Sequence, residues 1–162
     1  MSLTRQRHLL TAGSSVSDFR LRLLDGGDTG LRDLIAQGPV LLAFFKVSCP
    51  VCQLTLPFLE RIRSSGRLPI FAVSQNDADD TRAFQHRFGV ALPTLLDSEN
   101  DGFRVSNAFG ISSVPTLFLV EKDCSVSRVI EGWSKAEIES LGALAGVKPF
   151  RTNDSVPEWK AG

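Results

Sequence analysis

A chain of 162 residues, 43% hydrophobic and 22% charged, is long enough for one domain with a substantial core and too ordinary in composition to be disordered. Its 18 Lys and Arg balance 18 Asp and Glu, so no charge excess points to nucleic acid or an acidic membrane surface as a partner. The longest apolar run, Val40–Phe45, is about a quarter of a membrane span, and three cysteines are too few for a disulfide scaffold.

Residues 1–17 read as an N-terminal leader. Arg5 and Arg7 are followed by no apolar h-region, so no signal peptide is visible. The expectation is a cytoplasmic protein, or a periplasmic one if a leader has been removed. Phe19, Leu21 and Leu23 alternate before the turn "DGGDTG", which predicts an N-terminal strand pair. Pro39–Val47 is a continuous apolar run, as expected of a strand covered on both faces. Leu54, Phe58 and Ile62 then recur at every fourth position, predicting a helix directly after Cys49.

Leu68–Asp77 reads as a second buried strand with a polar end. The helix expected over 79–88 carries Phe84 and Phe88 on one face and Gly89 as its C-cap. Leu92–Asp97 predicts a short strand, and Val105, Ala108 and Phe109 mark a short helix stopped by Gly110. "PTLFLVEKDCSVSRVIEG" reads as two strands joined by a turn around Lys122–Ser125. The last helix opens on Ser134-x-x-Glu137, a capping box, with Ile138, Leu141 and Leu144–Ala145 toward the core. Residues 147–162 read as a C-terminal tail, in which Trp159 either pins the segment to the body or stands exposed. The domain proper then spans 18–146. This order predicts an α/β sandwich with parallel crossovers and a mixed sheet.

The chemistry concentrates at "CPVC". If the helix begins at Pro50, Cys49 is its N-cap, Pro50 its first residue and Cys52 its third. Unsatisfied amides and the positive end of the helix dipole then favour a thiolate at Cys49, the form that attacks disulfides. Cys52, one turn deeper, is placed to resolve a mixed disulfide. Lys46 either adds positive potential or is a solvated strand end. Pro57 falls inside the helix and removes the bond to the carbonyl of Gln53, a kink that would leave the first turn exposed. Cys124 is expected as an exposed, unpaired turn thiol, His86 as a solvated side chain, and His8 belongs to the leader.

"PVLLAFFKVSCPVC", Pro57, the helix and strand within 77–97, the turn "EKDCSVS" and "GISSVPTLFLV" at 110–120 together resemble the thioredoxin superfamily, and within it the TlpA/ResA-like thiol–disulfide oxidoreductases of the AhpC/TSA-type group. The resemblance covers roughly residues 13–146. It implies a thioredoxin-like three-layer sandwich with a central mixed β-sheet, an N-terminal strand pair and an inserted helix-strand. It implies a dithiol that exchanges with protein disulfides, acting as a reductase, with Cys49 as nucleophile and Cys52 as resolving thiol. Pro115 is the expected cis-proline, Val114 the residue whose backbone pairs with the substrate peptide, and Pro50 and Val51 the neighbouring substrate contacts. No cofactor is required, because the electrons reside in the cysteine pair. The implied partners are protein disulfides and an upstream thiol reductant, and a monomer is expected.

Three positions depart from the family pattern. Ser48 stands where relatives carry Trp, Ala43 where thioredoxin places a buried acid, and Thr55 where ResA-like members place Glu. A proton acceptor for Cys52 is therefore absent from both familiar places. Two rivals remain. A peroxiredoxin-type peroxidase needs Pro-x-x-x-Thr/Ser-x-x-Cys, but counting back from Cys49 gives Lys46 and Leu42, and from Cys52 gives Cys49 and Phe45. A zinc module needs four ligands where one CxxC supplies two; a catalytically silent binding domain is the other member of that class.

Overall fold

The computed structural model describes residues 8–162. Strands β1 (Arg20–Leu23) and β2 (Asp28–Gly30) pair antiparallel across a turn in which Gly26 and Gly27 take φ of 105° and 75°, open to residues without a Cβ. A single helical turn, α1 (Leu31–Leu34), leads to β3 (Val40–Phe45), all six of whose residues are buried. Helix α2 (Pro50–Ser65), β4 (Ile70–Ser74), α3 (Ala78–Phe88) and β5 (Thr94–Leu96) follow. Then come α4 (Arg104–Ala108), β6 (Thr116–Val120), β7 (Val126–Glu131), β8 (Trp133–Ser134), α5 (Lys135–Ala145) and β9 (Trp159–Lys160).

The seven-stranded sheet runs β2-β1-β5-β4-β3-β6-β7. β3, β4 and β5 are mutually parallel, while β6 runs antiparallel to β3 and β7 antiparallel to β6, so the sheet is mixed. The N-terminal pair joins the sheet through the inserted strand β5, with Arg22 opposite Leu96. Both parallel crossovers step in one direction, and their right-handedness puts α2 and α3 on the same face. Neighbouring side chains of β3 serve the two faces. The Phe45 ring meets Phe84 of α3 at 5.0 Å, while Phe44 meets Phe109, just past α4, at 5.0 Å. On α2, Leu56, Leu59 and Ile62 are fully buried, each contributing about 1.5–3 kcal/mol of transfer free energy. The helix runs on through Pro57 to Ser65.

Helix α5 departs from expectation in two ways. Leu144 is 54% exposed and not part of the core. Ile138, Leu141 and Ala145 form the buried stripe, and Leu144 lies about 100° round the helix from Ala145. The capping box is half made. Ser134 Oγ accepts from the Glu137 amide at 3.3 Å, but the Glu137 carboxylate turns to Arg128 at 3.7 Å.

Both ends of the described chain lie against the body. Leu10 N–H donates to the Phe109 carbonyl at 3.0 Å and Gly13 N–H to Val126 at 2.8 Å, and Val16 is buried. Residues 147–162 fold back over α2 and α5. Phe150 packs against Phe58 and meets Trp133 edge-on, Arg61 pairs with Asp154 at 2.7 Å, and β9 pairs with β8. The backbone does the pinning here, since the Trp159 side chain is 65% exposed. Cys124 is half-buried rather than exposed, with φ of 68° in the β6–β7 turn. Its side chain leans on the edge of the core.

Candidate active site

Strand β3 ends at Phe45 and the chain turns through Lys46–Ser48 onto α2. Two side chains clamp that turn at one residue, Val47. Asn76 Oδ1 accepts from Val47 N–H at 3.0 Å, and Gln53 Nε2 donates to the Val47 carbonyl at 3.0 Å. Cys49 follows as the N-cap of α2, in extended backbone, with Pro50 at the first helical position.

The Cys52 amide, one of the four that the helix leaves without an internal partner, donates to Cys49 Sγ at 3.2 Å. The Cys49 thiol in turn donates to the Val114 carbonyl at 3.4 Å, across 65 residues of sequence. The loop before β6, in which Val114–Pro115 is a cis peptide bond, therefore lies on the sulfur. The chain thus brings together Cys49, Cys52, Val114 and Pro115. Pro50 is exposed and Val51 half-buried at the rim, whereas Val114 and Pro115 are buried. Lys46 and Ser48 are exposed beside the pair, and His86 stands exposed on α3.

The two sulfurs are unequal. Cys49 is half-buried and Cys52 has no exposed surface, and both are free thiols. Burial first, and then a hydrogen bond to the Cys49 side chain, push the Cys52 thiol far above its ordinary range; a backbone hydrogen bond from Lys46 opposes them weakly. Folded Cys52 therefore keeps its proton at a pH where the unfolded chain releases it. This leaves stability level below about pH 9 and lowers it above, by up to about 1.4 kcal/mol per pH unit. The chain contains no Tyr to contribute a competing phenol titration. Urea unfolding of the reduced protein between about pH 7 and 10 should show that fall, and Cys52→Ala should remove it; an unchanged slope would place the titrating group elsewhere.

No carboxylate occupies either position at which the resemblance to the family places one. Ala43 is fully buried on β3, and Thr55 Oγ1 is spent on the Val51 carbonyl at 2.7 Å. The buried acid of this fold is Asp97, at the end of β5. It accepts from the amides of Val105 and Ser106 at 3.3 and 2.6 Å and from Ser106 Oγ at 2.7 Å, capping α4 from outside. Helix α4 leads into the loop that ends at Pro115, and Ile111 N–H returns to the Ser106 carbonyl at 3.1 Å. Asp97→Ala orphans those donors and should cost about 2–3 kcal/mol in urea unfolding; a loss below about 1 kcal/mol would show that the loop does not depend on this anchor.

The clamp and the Asp97 cap were missed in the sequence. Gln53, Asn76 and Asp97 carry no motif, and each acts on a segment distant in sequence or on another element. Among the described residues, no group of three or more His, Cys, Asp or Glu side chains is placed to hold a metal ion, and no helix is long and apolar enough to cross a membrane.

The sequence model of the AhpC/TSA family matches residues 12–129. A thiol-disulfide oxidoreductase ResA of Halalkalibacterium halodurans is 31% identical over 130 residues, covering 78% of this chain and 72% of that protein. The ResA of Geobacillus thermodenitrificans is 29% identical over 149 residues, covering 89% and 82%. Among solved structures, the thioredoxin domain of a thiol-disulfide oxidoreductase from Bacteroides vulgatus superposes with a TM-score of 0.72 at 18% identity, covering 84% of this chain and 99% of that one. The fold is thioredoxin-like, as the order of motifs implies.

Proposed function

The chain belongs to the AhpC/TSA family, and on that premise we propose that it is a thiol–disulfide oxidoreductase whose Cys49–Cys52 pair reduces protein disulfides. The observation that carries the reading is the Cys52 amide aimed at Cys49 Sγ, a preformed site for negative charge on sulfur at a helix mouth.

Cys49 is the attacking sulfur, since it is the accessible member of the pair. Its thiolate displaces one sulfur of the client disulfide; that S–S bond breaks, a Cys49–client disulfide forms, and the freed client sulfur takes a proton. Cys52 then gives up its proton and attacks Cys49 Sγ. The Cys49–client bond breaks as the Cys49–Cys52 disulfide forms, the second client sulfur leaves and takes a proton, and two electrons have passed from the pair to the client. A thiol reductant restores the pair. Resolution is the demanding step, because Cys52 binds its proton tightly and neither residue 43 nor residue 55 offers a base. The client's extended backbone lies along Val114, beside Pro115, with Pro50 and Val51 as the opposite lip.

The peroxidase alternative draws on the family's name and on a likeness of fold to a peroxidoxin of Mycobacterium tuberculosis. Counting back from either cysteine finds no Thr or Ser in its position, and Cys49 Sγ faces a carbonyl and an amide. One assay separates the readings: insulin reduction driven by dithiothreitol. The reaction should run faster with the protein than with Cys49→Ser. Equal rates, or peroxide consumption outpacing insulin reduction, would contradict the proposal.

A further inference from the structure

The backbone that a client would use is already covered. Val114 is only 8% exposed, and what lies against it is the chain's own residue 162. Gly162 approaches so closely that a Cβ there would stand 2.5 Å from the Val114 carbonyl oxygen and 3.0 Å from its carbon. Gly132, whose amide donates to the Pro115 carbonyl at 2.8 Å, faces the same segment: a Cβ on it would meet the Lys160 carbonyl and stand 2.9 Å from the Gly162 nitrogen. Residues 160–162 therefore run from β8 along Gly132 to Val114, the loop that Cys49 touches.

The segment is held there by a built path. Trp133 Nε1 donates to the Pro157 carbonyl at 2.6 Å, Lys135 N–H to the Glu158 carbonyl at 2.9 Å, and Trp133 and Ser134 pair with Lys160 and Trp159. Upstream, Arg61 grips Asp154. Only glycine fits at the two points of closest approach, so the contact depends on the absence of side chains at 132 and 162.

We infer that residues 160–162 are a specificity determinant: they occupy the position beside Val114 where an extended client strand would lie, and so favour small or flexible disulfides that reach Cys49 without pairing along that loop. The inference rests on the proposed role of Val114. A client that needs the pairing position must displace the segment first, and its apparent affinity falls by the fraction of molecules in which the segment is lifted. A small disulfide meets Cys49 from the exposed side of Pro50 and is indifferent to that equilibrium.

The test compares two disulfides on one sulfur: oxidised glutathione, and insulin as the extended-chain client. Gly162→Val places branched carbon against the Val114 carbonyl and pushes the segment away. Lys160→Pro, an independent route, removes the N–H that residue 160 brings to its pairing with Trp133. Each variant is assayed in the full chain. The expected result is a rise of about tenfold in the insulin-to-glutathione rate ratio in both variants, with the glutathione rate held. An unchanged ratio in both, or a ratio that falls, overturns the inference while leaving the dithiol intact. If the unsubstituted protein exchanges with neither disulfide, the reading of the dithiol fails, and this inference with it.

Discussion

Cys52→Ser is expected to accumulate a covalent Cys49–client disulfide, and Cys49→Ser to lose exchange down to the level of buffer. The asymmetry follows from where the helix puts each sulfur. Cys49 is half-exposed at the N-cap and receives the Cys52 amide at 3.2 Å. That amide survives replacement of the Cys52 side chain, so the attacking sulfur keeps its site in Cys52→Ser. What the variant lacks is the second attack, so the mixed disulfide persists. In Cys49→Ser the remaining thiol is fully buried and holds its proton far above its ordinary range, so it neither meets a client nor ionises to attack one. Non-reducing electrophoresis after mixing with an oxidised client, followed by mass spectrometry of the adduct, reads both outcomes. Equal trapping by the two variants would mean that the roles are assigned wrongly.

The largest effect on stability is expected at Trp133. It is fully buried, its ring lies 5.3 Å from Phe58 of α2 and 6.0 Å from Phe150, and its indole N–H donates to the Pro157 carbonyl at 2.6 Å. One side chain thus joins the helix that carries the dithiol to the returning C-terminal segment. Trp133→Ala should cost about 3–5 kcal/mol, combining lost transfer free energy with a cavity. Trp133→Phe keeps most of the ring but orphans the Pro157 carbonyl, and about 1–2 kcal/mol is expected. Urea unfolding followed by circular dichroism measures both. An alanine variant that loses less than about 1 kcal/mol would show that the C-terminal segment packs independently of the core.

Where the chemistry was local, the sequence announced it. The N-cap at Cys49, proline at the first helical turn and the third-position amide all follow from four adjacent residues, "CPVC", and the structure has each of these three in place. The strands β3, β4 and β6 were legible because each is a continuous apolar run, and α3 because Phe84 and Phe88 share a face and Gly89 ends it; its N-cap, Asp77, had been read as the end of the preceding strand. Three things were not legible. Helix α1 and strands β8 and β9 are too short to carry a period. Leu144 looked like core because it neighbours Ala145, although its position on the helix turns it outward. The returning segment 147–162 has no pattern of its own, and its contacts, from Arg61–Asp154 to Gly162 on Val114, span sequence distances that no local rule can reach.

The most direct test is to equilibrate the protein with glutathione buffers of graded ratio, quench the thiols, and locate disulfides by mass spectrometry. A reversible Cys49–Cys52 disulfide is expected, titrating as one two-electron transition, with about 30 mV for each tenfold change in the equilibrium constant, and leaving Cys124 free. A pair that stays as two thiols across the whole range, or that forms its disulfides with Cys124 instead, would contradict the account.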